Sequence, residues 1–248
     1  MRRVLEIGGI VAAAVLIAFG IASIVIALNG RSTISDNLKT QQITGTSDMA
    51  SNSAAIAGEV KAITASQDKL VKQFKAVGVT FTPSEVSVPG CSVAGDQVTS
   101  GSQARCFAQY MFIHAMGATN GLVYSQMGRY MAKPGTPFKY TDGEGALAPD
   151  ASPAIAAKYT QVDPKTQQPV ANDARNLWID QVALSTALNT SYMADQISMF
   201  GIVVGVALLL AGLGFGLLAI GGALRSPQAM VSFAGKTKAA EAATPAAQ

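Results

Sequence analysis

The sequence predicts a mainly α-helical protein in which two transmembrane helices flank a disulfide-bonded, mostly helical exported domain. Three observations predict this fold: an uncharged apolar run near each end of the chain, two cysteines that both lie between those runs, and helical spacing of apolar residues in the segment that separates them. The predicted organisation is an N-terminal tail over residues 1–6, a first span over 7–28, a central domain over 29–198, a second span over 199–224 and a disordered tail over 225–248.

The first run, Ile7–Leu28, holds 22 uncharged residues. At about 1.5 Å per helical residue it can cross a hydrocarbon core roughly 30 Å thick. It is longer than the apolar region of a usual signal peptide, and no clear small-x-small cleavage motif follows it. We therefore expect an uncleaved anchor, with Asn29-Gly30 ending or kinking the helix at the membrane surface.

The second run is Phe200–Ala223, and no residue from Gln196 to Leu224 carries a charge. Inside a bilayer, a helix satisfies every backbone donor and acceptor without water, whereas a charge near the centre costs several kcal/mol. The run therefore predicts a membrane-spanning helix, and a buried core helix is the alternative.

Small residues share one face of each predicted span. Spacings of four and seven residues bring side chains to the same side of a helix. Such faces let two membrane helices approach closely. This pattern is compatible with packing of the two spans on each other, with self-association of the chain, or with no special role. The residues are Gly9, Ala13, Gly20 and Ala27 in the first span and Gly201, Gly205, Gly212 and Gly216 in the second.

The charge distribution predicts the orientation. The two tails carry five basic and two acidic residues, whereas the central segment carries thirteen of each, so the tails hold the entire net charge of +3. Basic residues that flank spans remain in the cytoplasm. We therefore expect a plasma-membrane protein with both termini cytoplasmic and an extracytoplasmic central domain. Because that domain is electrically balanced, the sequence offers no nucleic-acid surface.

Cys91 and Cys106 are the only cysteines, and both lie in the part expected to be exported. A bridge between them would close a loop of 15 residues and stabilise the domain by roughly 3 kcal/mol in the chain-entropy model. Two buried thiols are the alternative. Two thiols and one histidine do not make a credible zinc site.

Three helices are predicted in the central domain: Ala54–Val77, Gly101–Ala118 and Asn172–Ser198. Asn172-Asp173 is a good N-cap, and the helix after it is expected to continue into the membrane, since no proline interrupts it before Leu224. Apolar residues in Ala54–Val77 repeat at spacings of four and three, with Gln67 as the one polar member. This seam predicts either the core face of a domain helix or a coiled coil between chains.

The remaining segments are predicted to be irregular. Thr40–Ser53 is expected to be a loop, Thr80–Gly101 to be irregular or to hold short strands, and Tyr124–Met131 to hold a short helical piece. Six of the ten prolines fall between Lys133 and Val170, which predicts an exposed loop with one helical turn at Ala154–Tyr159.

The residue inventory argues against catalysis. His114 is the only histidine, so a histidine-based iron or zinc centre cannot form within one chain. No serine lies in a G-x-S-x-G elbow, and no phosphate-binding loop is present. We expect His114 to be a partly buried, hydrogen-bonded residue, with a pH-sensitive contact or a ligand role as alternatives, and Asp142 and Glu144 to be solvated surface groups. No catalytic residue, cofactor or metal ligand is predicted.

The chain resembles a family of uncharacterised actinobacterial membrane proteins that have two spans and an exported domain between them. Members often carry the automatic label of aromatic ring-opening dioxygenase, which implies iron ligands that this sequence does not hold. The resemblance implies the two-span architecture and transfers no activity. It covers about residues 1–225 and rests on Asp36-Asn37-Leu38, Cys91-Ser92-Val93-Ala94-Gly95, Arg105-Cys106-Phe107-Ala108, Ile113-His114, Met127-Gly128-Arg129, Asp163-Pro164-Lys165-Thr166, Ala174-Arg175-Asn176 with Trp178, and Phe200–Gly205.

These features together predict a structural or accessory component of a cell-envelope or membrane complex. Its expected partners are the lipid bilayer and a membrane or envelope protein, with a homo-oligomer as a further possibility and no nucleic acid. The alternative is a membrane sensor or signalling accessory that couples the exported domain to the cytoplasm along the last helix.

Overall fold

The computed structural model of the protein describes residues 2–221 and is mainly helical. Its helices are α1 (Arg2–Thr40), α2 (Ala54–Ala76), α3 (Gly101–Ala118), α4 (Pro153–Tyr159) and α5 (Asp173–Ile220), with single 3-10 turns at Tyr124–Gln126 and Phe138–Tyr140. Within residues 2–221 the chain forms isolated β-bridges and no β-strand. The predicted disordered tail, 225–248, and the last three residues of the predicted second span lie outside the described residues.

The described residues divide into two compact units. One contains the residues up to Ser32 and those from Gln196 onward, and is called the helix pair below; the other is Thr33–Asp195, called the central unit. The predicted domain limits, after residues 28 and 198, fall within a few residues of these divisions.

α1 and α5 are each long and apolar enough to cross a membrane. Their most apolar windows have mean hydropathies of 2.8 and 2.6, and only 17% of each window is buried. The predicted helix end at Asn29-Gly30 is wrong, because α1 continues to Thr40. One glycine inside a helix costs only about 1 kcal/mol, and Ile34 and Leu38, one helical turn apart, pack into the core of the central unit.

The core of the central unit is built around α2 and α3. The predicted seam of α2 is its core face, with Ile56, Ile63, Leu70 and Phe74 buried. Gln67 is buried among them and donates from Nε2 to the carbonyl oxygens of Ser84, at 3.1 Å, and Gly121, at 2.9 Å. A buried amide must find such partners, which explains the polar member of an otherwise apolar seam.

α5 packs along α3 in the opposite direction. Near the C-terminus of α3, the Trp178 indole donates to Thr119 Oγ1 at 3.1 Å and contacts the Phe112 ring edge-on at a centroid distance of 5.5 Å. Near the N-terminus of α3, Gly101 lies directly against the backbone of Tyr192. The predicted boundaries of α2, α3 and the start of α5 are confirmed to within one residue.

The proline-rich segment is more ordered than predicted. Bridges join Tyr130 to Ala171, Met131 to Ala146, and Ala132 to Thr160, and Leu147 is buried. The expected helical turn is α4, which Ser152 caps. The short helix predicted at Tyr124–Met131 is reduced to one 3-10 turn, because the chain then enters the bridged region at Tyr130.

Candidate functional site

The two cysteines lie side by side on one edge of the central unit. Their sulfur atoms are 2.08 Å apart and their Cα atoms 6.0 Å apart, the arrangement of a disulfide. Tyr110 is buried beside them and donates its hydroxyl hydrogen to the Cys91 carbonyl oxygen at 2.7 Å. The bridge and this hydrogen bond both tie the irregular segment around Cys91 to α3.

The small residues of the predicted spans face one another within the helix pair. Gly205 and Gly20 lie at its centre, where a Cβ atom added to Gly205 would be 2.8 Å from the Gly20 carbonyl oxygen. Ser23 Oγ donates to the Gly201 carbonyl oxygen at 2.9 Å. The remaining contacts bring Gly212 and Gly216 to Ala13, and Gly201 to Ala27; Gly9 is also buried. The two segments are therefore antiparallel, and their backbones approach closely because glycine and alanine occupy the contact face.

His114 lies between two carboxylates. Its Nδ1 atom is 2.9 Å from Glu59 Oε2 on α2, and its Nε2 atom is 3.3 Å from Asp48 Oδ2 in the loop before α2. All three side chains are about 30% exposed. The expectation of a partly buried, hydrogen-bonded histidine is confirmed. The acidic partners were not predicted, because 66 and 55 residues separate them from His114 in the sequence.

The backbone of α3 helps to place Glu59. A Cβ atom added to Gly117 would collide with Glu59 Oε1. A side chain at Gly117, one turn after His114, would therefore require the Glu59 carboxylate to shift.

The geometry of this cluster suits a structural ion pair. Neutral imidazole has one N–H donor, whereas imidazolium has two and can donate to both carboxylates. The ring nitrogens point in opposite directions, so the carboxylates cannot meet the imidazole at one metal ion. In the described part of the chain, no group of three or more His, Cys, Asp and Glu side chains is placed to hold a metal.

The pKa of Asp48 is lowered, mainly by its hydrogen bond with the Thr46 side chain and to a smaller extent by the charge of His114. The Asp48 carboxyl group is therefore more readily ionised, and an ionised carboxylate is the form that attracts a protonated imidazole ring.

The interpretation of Asp142 as a solvated surface group is wrong. Its side chain is 3% exposed, and Oδ1 accepts hydrogen bonds at 3.0 Å from the backbone N–H groups of Glu144 and Ala146. Burial raises the pKa of Asp142, and these backbone donors oppose the rise. Asp142 therefore organises the turn before Leu147. Glu144 is exposed as expected and accepts a hydrogen bond from Asn120.

The central unit contains an open groove of about 670 Å³. It lies between the irregular segment Glu85–Gly90, α3 and α5, and is called the α3–α5 groove. Its other lining residues include Arg105, Gln109 and Phe112 from α3, and Trp178, Gln181, Ser185 and Asn189 from α5.

The α3–α5 groove has both polar and apolar lining residues. The apolar ones include Trp178, which is 2% exposed, and the Phe112 ring packed against it. Gln181 is 6% exposed and donates from Nε2 to Ser185 Oγ at 2.6 Å, whereas its Oε1 atom accepts no hydrogen bond from the described residues. The groove thus offers an acceptor to a bound molecule.

Of the two sites, the α3–α5 groove can admit a ligand, whereas both ring nitrogens of His114 already face carboxylates. Comparisons of the chain with protein-family models, with curated proteins and with solved structures found no match.

Proposed function

We propose that the protein is an integral plasma-membrane protein with two spans, whose exported central domain presents an interaction surface as a structural or accessory component of an envelope or membrane complex. In this proposal lipid covers the helix pair, and a protein partner meets the central unit outside the cytoplasm. The resemblance to two-span membrane proteins agrees with this role.

The exposed apolar surface of the helix pair carries the proposal. Large side chains such as Phe19, Ile26 and Leu217 are 66%, 73% and 74% exposed, respectively. A helix of comparable hydropathy in a soluble protein would be mostly buried, because exposed apolar area costs about 25 cal/mol per Å² in water. Among lipid tails, exposure of these apolar faces carries the smallest free-energy cost.

Two further observations support the proposed orientation. The antiparallel contact between Gly20 and Gly205 brings the N-terminal end of α1 and the C-terminal end of α5 to the same end of the pair. Basic residues are enriched at the start of α1 and in the sequence that follows α5. A disulfide persists in an oxidising compartment, which favours an extracytoplasmic central unit.

An interaction role is favoured over catalysis by the character of the α3–α5 groove. Its polar side chains are amides and hydroxyls with one guanidinium and one carboxylate, set among apolar residues. These groups suit recognition by hydrogen bonding. His114 is the single imidazole, and both of its nitrogens face carboxylates.

Cysteine labelling in intact cells tests the topology. Ser51→Cys places a thiol on an exposed loop residue, and Thr244→Cys places one in the C-terminal tail. We expect a membrane-impermeant maleimide to label the Ser51→Cys variant in intact cells and the Thr244→Cys variant only after permeabilisation. Both variants should remain in the membrane pellet after alkaline carbonate extraction. Release by carbonate, or the reverse labelling pattern, would contradict the proposal.

A further inference from the structure

We propose that the α3–α5 groove binds an extended peptide segment of a partner, which pairs with the backbone of Glu85–Val88 as an added strand. This inference rests on the proposed interaction role and names the class of partner. Its argument uses the backbone, the length and the charges of the groove.

Glu85–Val88 has the side-chain pattern of a strand but no partner strand. Val86 and Val88 are half-buried against the core, whereas Glu85 and Ser87 are exposed. In a strand, successive side chains point to opposite faces. No backbone–backbone hydrogen bond or β-bridge within residues 2–221 involves these four residues. Their N–H and C=O groups therefore have no backbone partner within the described chain, as at the edge of a sheet.

This free backbone borders the α3–α5 groove. All six residues from Glu85 to Gly90 line the cavity. Side chains that alternate between two faces cannot all reach one cavity, so the backbone edge itself must form part of the wall. Strand addition uses such an edge, with main-chain hydrogen bonds for affinity and neighbouring side chains for specificity.

The dimensions of the groove suit a short extended segment. From Glu85 to Pro89 a strand covers about 13 Å at 3.3 Å per residue, and from Gln181 to Asn189 α5 rises about 12 Å. Polar groups are spread along both walls, including the free Oε1 of Gln181. A compact ligand would use a few convergent groups, whereas a peptide of about four residues can contact the whole length.

The two ends of the groove carry opposite charges. Glu85 is exposed at one end. Arg105 lies near Gly90 at the other end, because both residues also line a smaller neighbouring cavity, and its guanidinium lies 4.7 Å from the centre of the Tyr192 ring. The complementary peptide therefore has a basic residue at the Glu85 end and an acidic group at the Arg105 end.

The test uses the purified full chain in detergent micelles and a library of fluorescent hexapeptides with lysine at one end, aspartate at the other and varied β-branched or polar residues between them. Anisotropy should identify peptides that bind saturably. Methylating every second peptide nitrogen can be done in two alternating sets, and one set should weaken binding about tenfold or more while the other has little effect. The reason is that only alternate peptide N–H groups face the backbone of Glu85–Val88. Hydrogen exchange should show new protection within residues 85–88.

Charge exchange supplies a matched control. Glu85→Lys should lower the affinity for the selected peptide about tenfold. Replacing the lysine of the peptide by glutamate should restore the affinity of this variant. Glu85 is exposed and has no ion-pair partner among the described residues, so folding should be unchanged. The proposal is overturned if no library member binds, if neither methylation register matters, or if protection appears only outside residues 85–88. Since binding is measured on purified protein, this outcome is independent of the cell-labelling result.

Discussion

His114 shows how one residue can join three parts of the central unit. It lies on α3 and contacts Glu59 of α2 and Asp48 of the preceding loop. Each contact involves a charged group that is only partly exposed, where an ion pair is screened less than at the open surface. His114 therefore holds the loop and α2 against α3.

Replacing this histidine should destabilise the central unit. His114→Gln removes the group that can be charged between two carboxylates, so we expect the free energy of unfolding to fall by about 1–2 kcal/mol. Urea unfolding followed by the fluorescence of Trp178, the single tryptophan, measures the change. Adding Glu59→Gln to His114→Gln removes one of the facing charges and should recover part of the loss. An unchanged midpoint in both variants would show that the cluster contributes nothing to stability.

Asp142 should give the central unit an acid-range pH dependence of definite sign. Burial raises its folded-state pKa above the ordinary 3.8, so the folded state binds the proton more tightly than the unfolded state. Its contribution to stability is thus most favourable below 3.8 and declines as pH rises through the raised folded value. In Asp142→Asn this decline should be absent, which urea unfolding at a series of pH values can measure.

Asp163 provides a control of opposite sign. Its pKa is lowered mainly by the backbone N–H groups of Thr166 and Lys165, so its contribution is present above the unfolded value and is lost as pH falls through the folded one. As pH falls, the wild-type protein should lose the contribution of Asp163 to its free energy of unfolding, whereas the Asp163→Asn variant should show no such loss. Equal pH profiles for wild type and both variants would disprove the assigned directions.

At the scale of elements, the helix pair depends on the absence of side chains where α1 and α5 meet. A Cβ atom at Gly205 would lie 2.6 Å from Ile24 and 2.8 Å from the Gly20 carbonyl oxygen. A larger side chain there must push the helices apart, which also lengthens the Ser23–Gly201 hydrogen bond.

Gly205→Leu should therefore separate the pair. Disulfide trapping in membranes from cells can measure this separation, with one engineered cysteine at Ala13 and one at Gly216. A Cβ atom added to Gly216 would lie 3.7 Å from the Ala13 Cβ atom, so the two cysteines should crosslink when the helices are in contact. We expect Gly205→Leu to reduce crosslinking severalfold. Gly214→Leu is the matched control, because no atom lies within 4 Å of a Cβ added there. Equal crosslinking in the two variants would show that close backbone approach is unimportant.

The Cys91–Cys106 bridge links an irregular segment to α3 and should stabilise the central unit. In the Cys91→Ser/Cys106→Ser variant we expect the free energy of unfolding to fall by about 3 kcal/mol, since the 15-residue loop is no longer closed in the unfolded state. Chemical denaturation with and without reductant measures it. Reductant should have no effect on the double variant, and a wild-type midpoint that is insensitive to reductant would contradict a stabilising bridge.

At the scale of the whole molecule, the chain divides into two compact units that can be followed by different signals. Trp178 reports on the central unit alone, whereas far-ultraviolet circular dichroism reports on all helices. In micelles, we expect urea to abolish the buried-tryptophan signal cooperatively while a substantial helical signal remains, because apolar helices in detergent keep their backbone hydrogen bonds. A single coincident transition for both signals would show that the units unfold together.

The sequence by itself determined the features that depend on local periodicity. The core face of α2, the boundaries of α3 and the cap at Asn172 follow from spacing and side-chain chemistry within a few residues, and the structure confirms them. The apolar runs likewise predict helices long enough to span a membrane, because length and hydropathy are summed along the chain.

The tertiary structure alone decided which distant residues meet. Asp48 and Glu59 reach His114 only when α2 and α3 pack together, and Asp142 is buried only when bridges close the proline-rich segment around it. α1 continues past Gly30 because its next turns find a core to contact, a long-range gain that outweighs a weak local helix stop. The α3–α5 groove likewise depends on the tertiary structure, since three segments remote in sequence form its walls. The unpaired backbone of Glu85–Val88 follows from the way these segments pack.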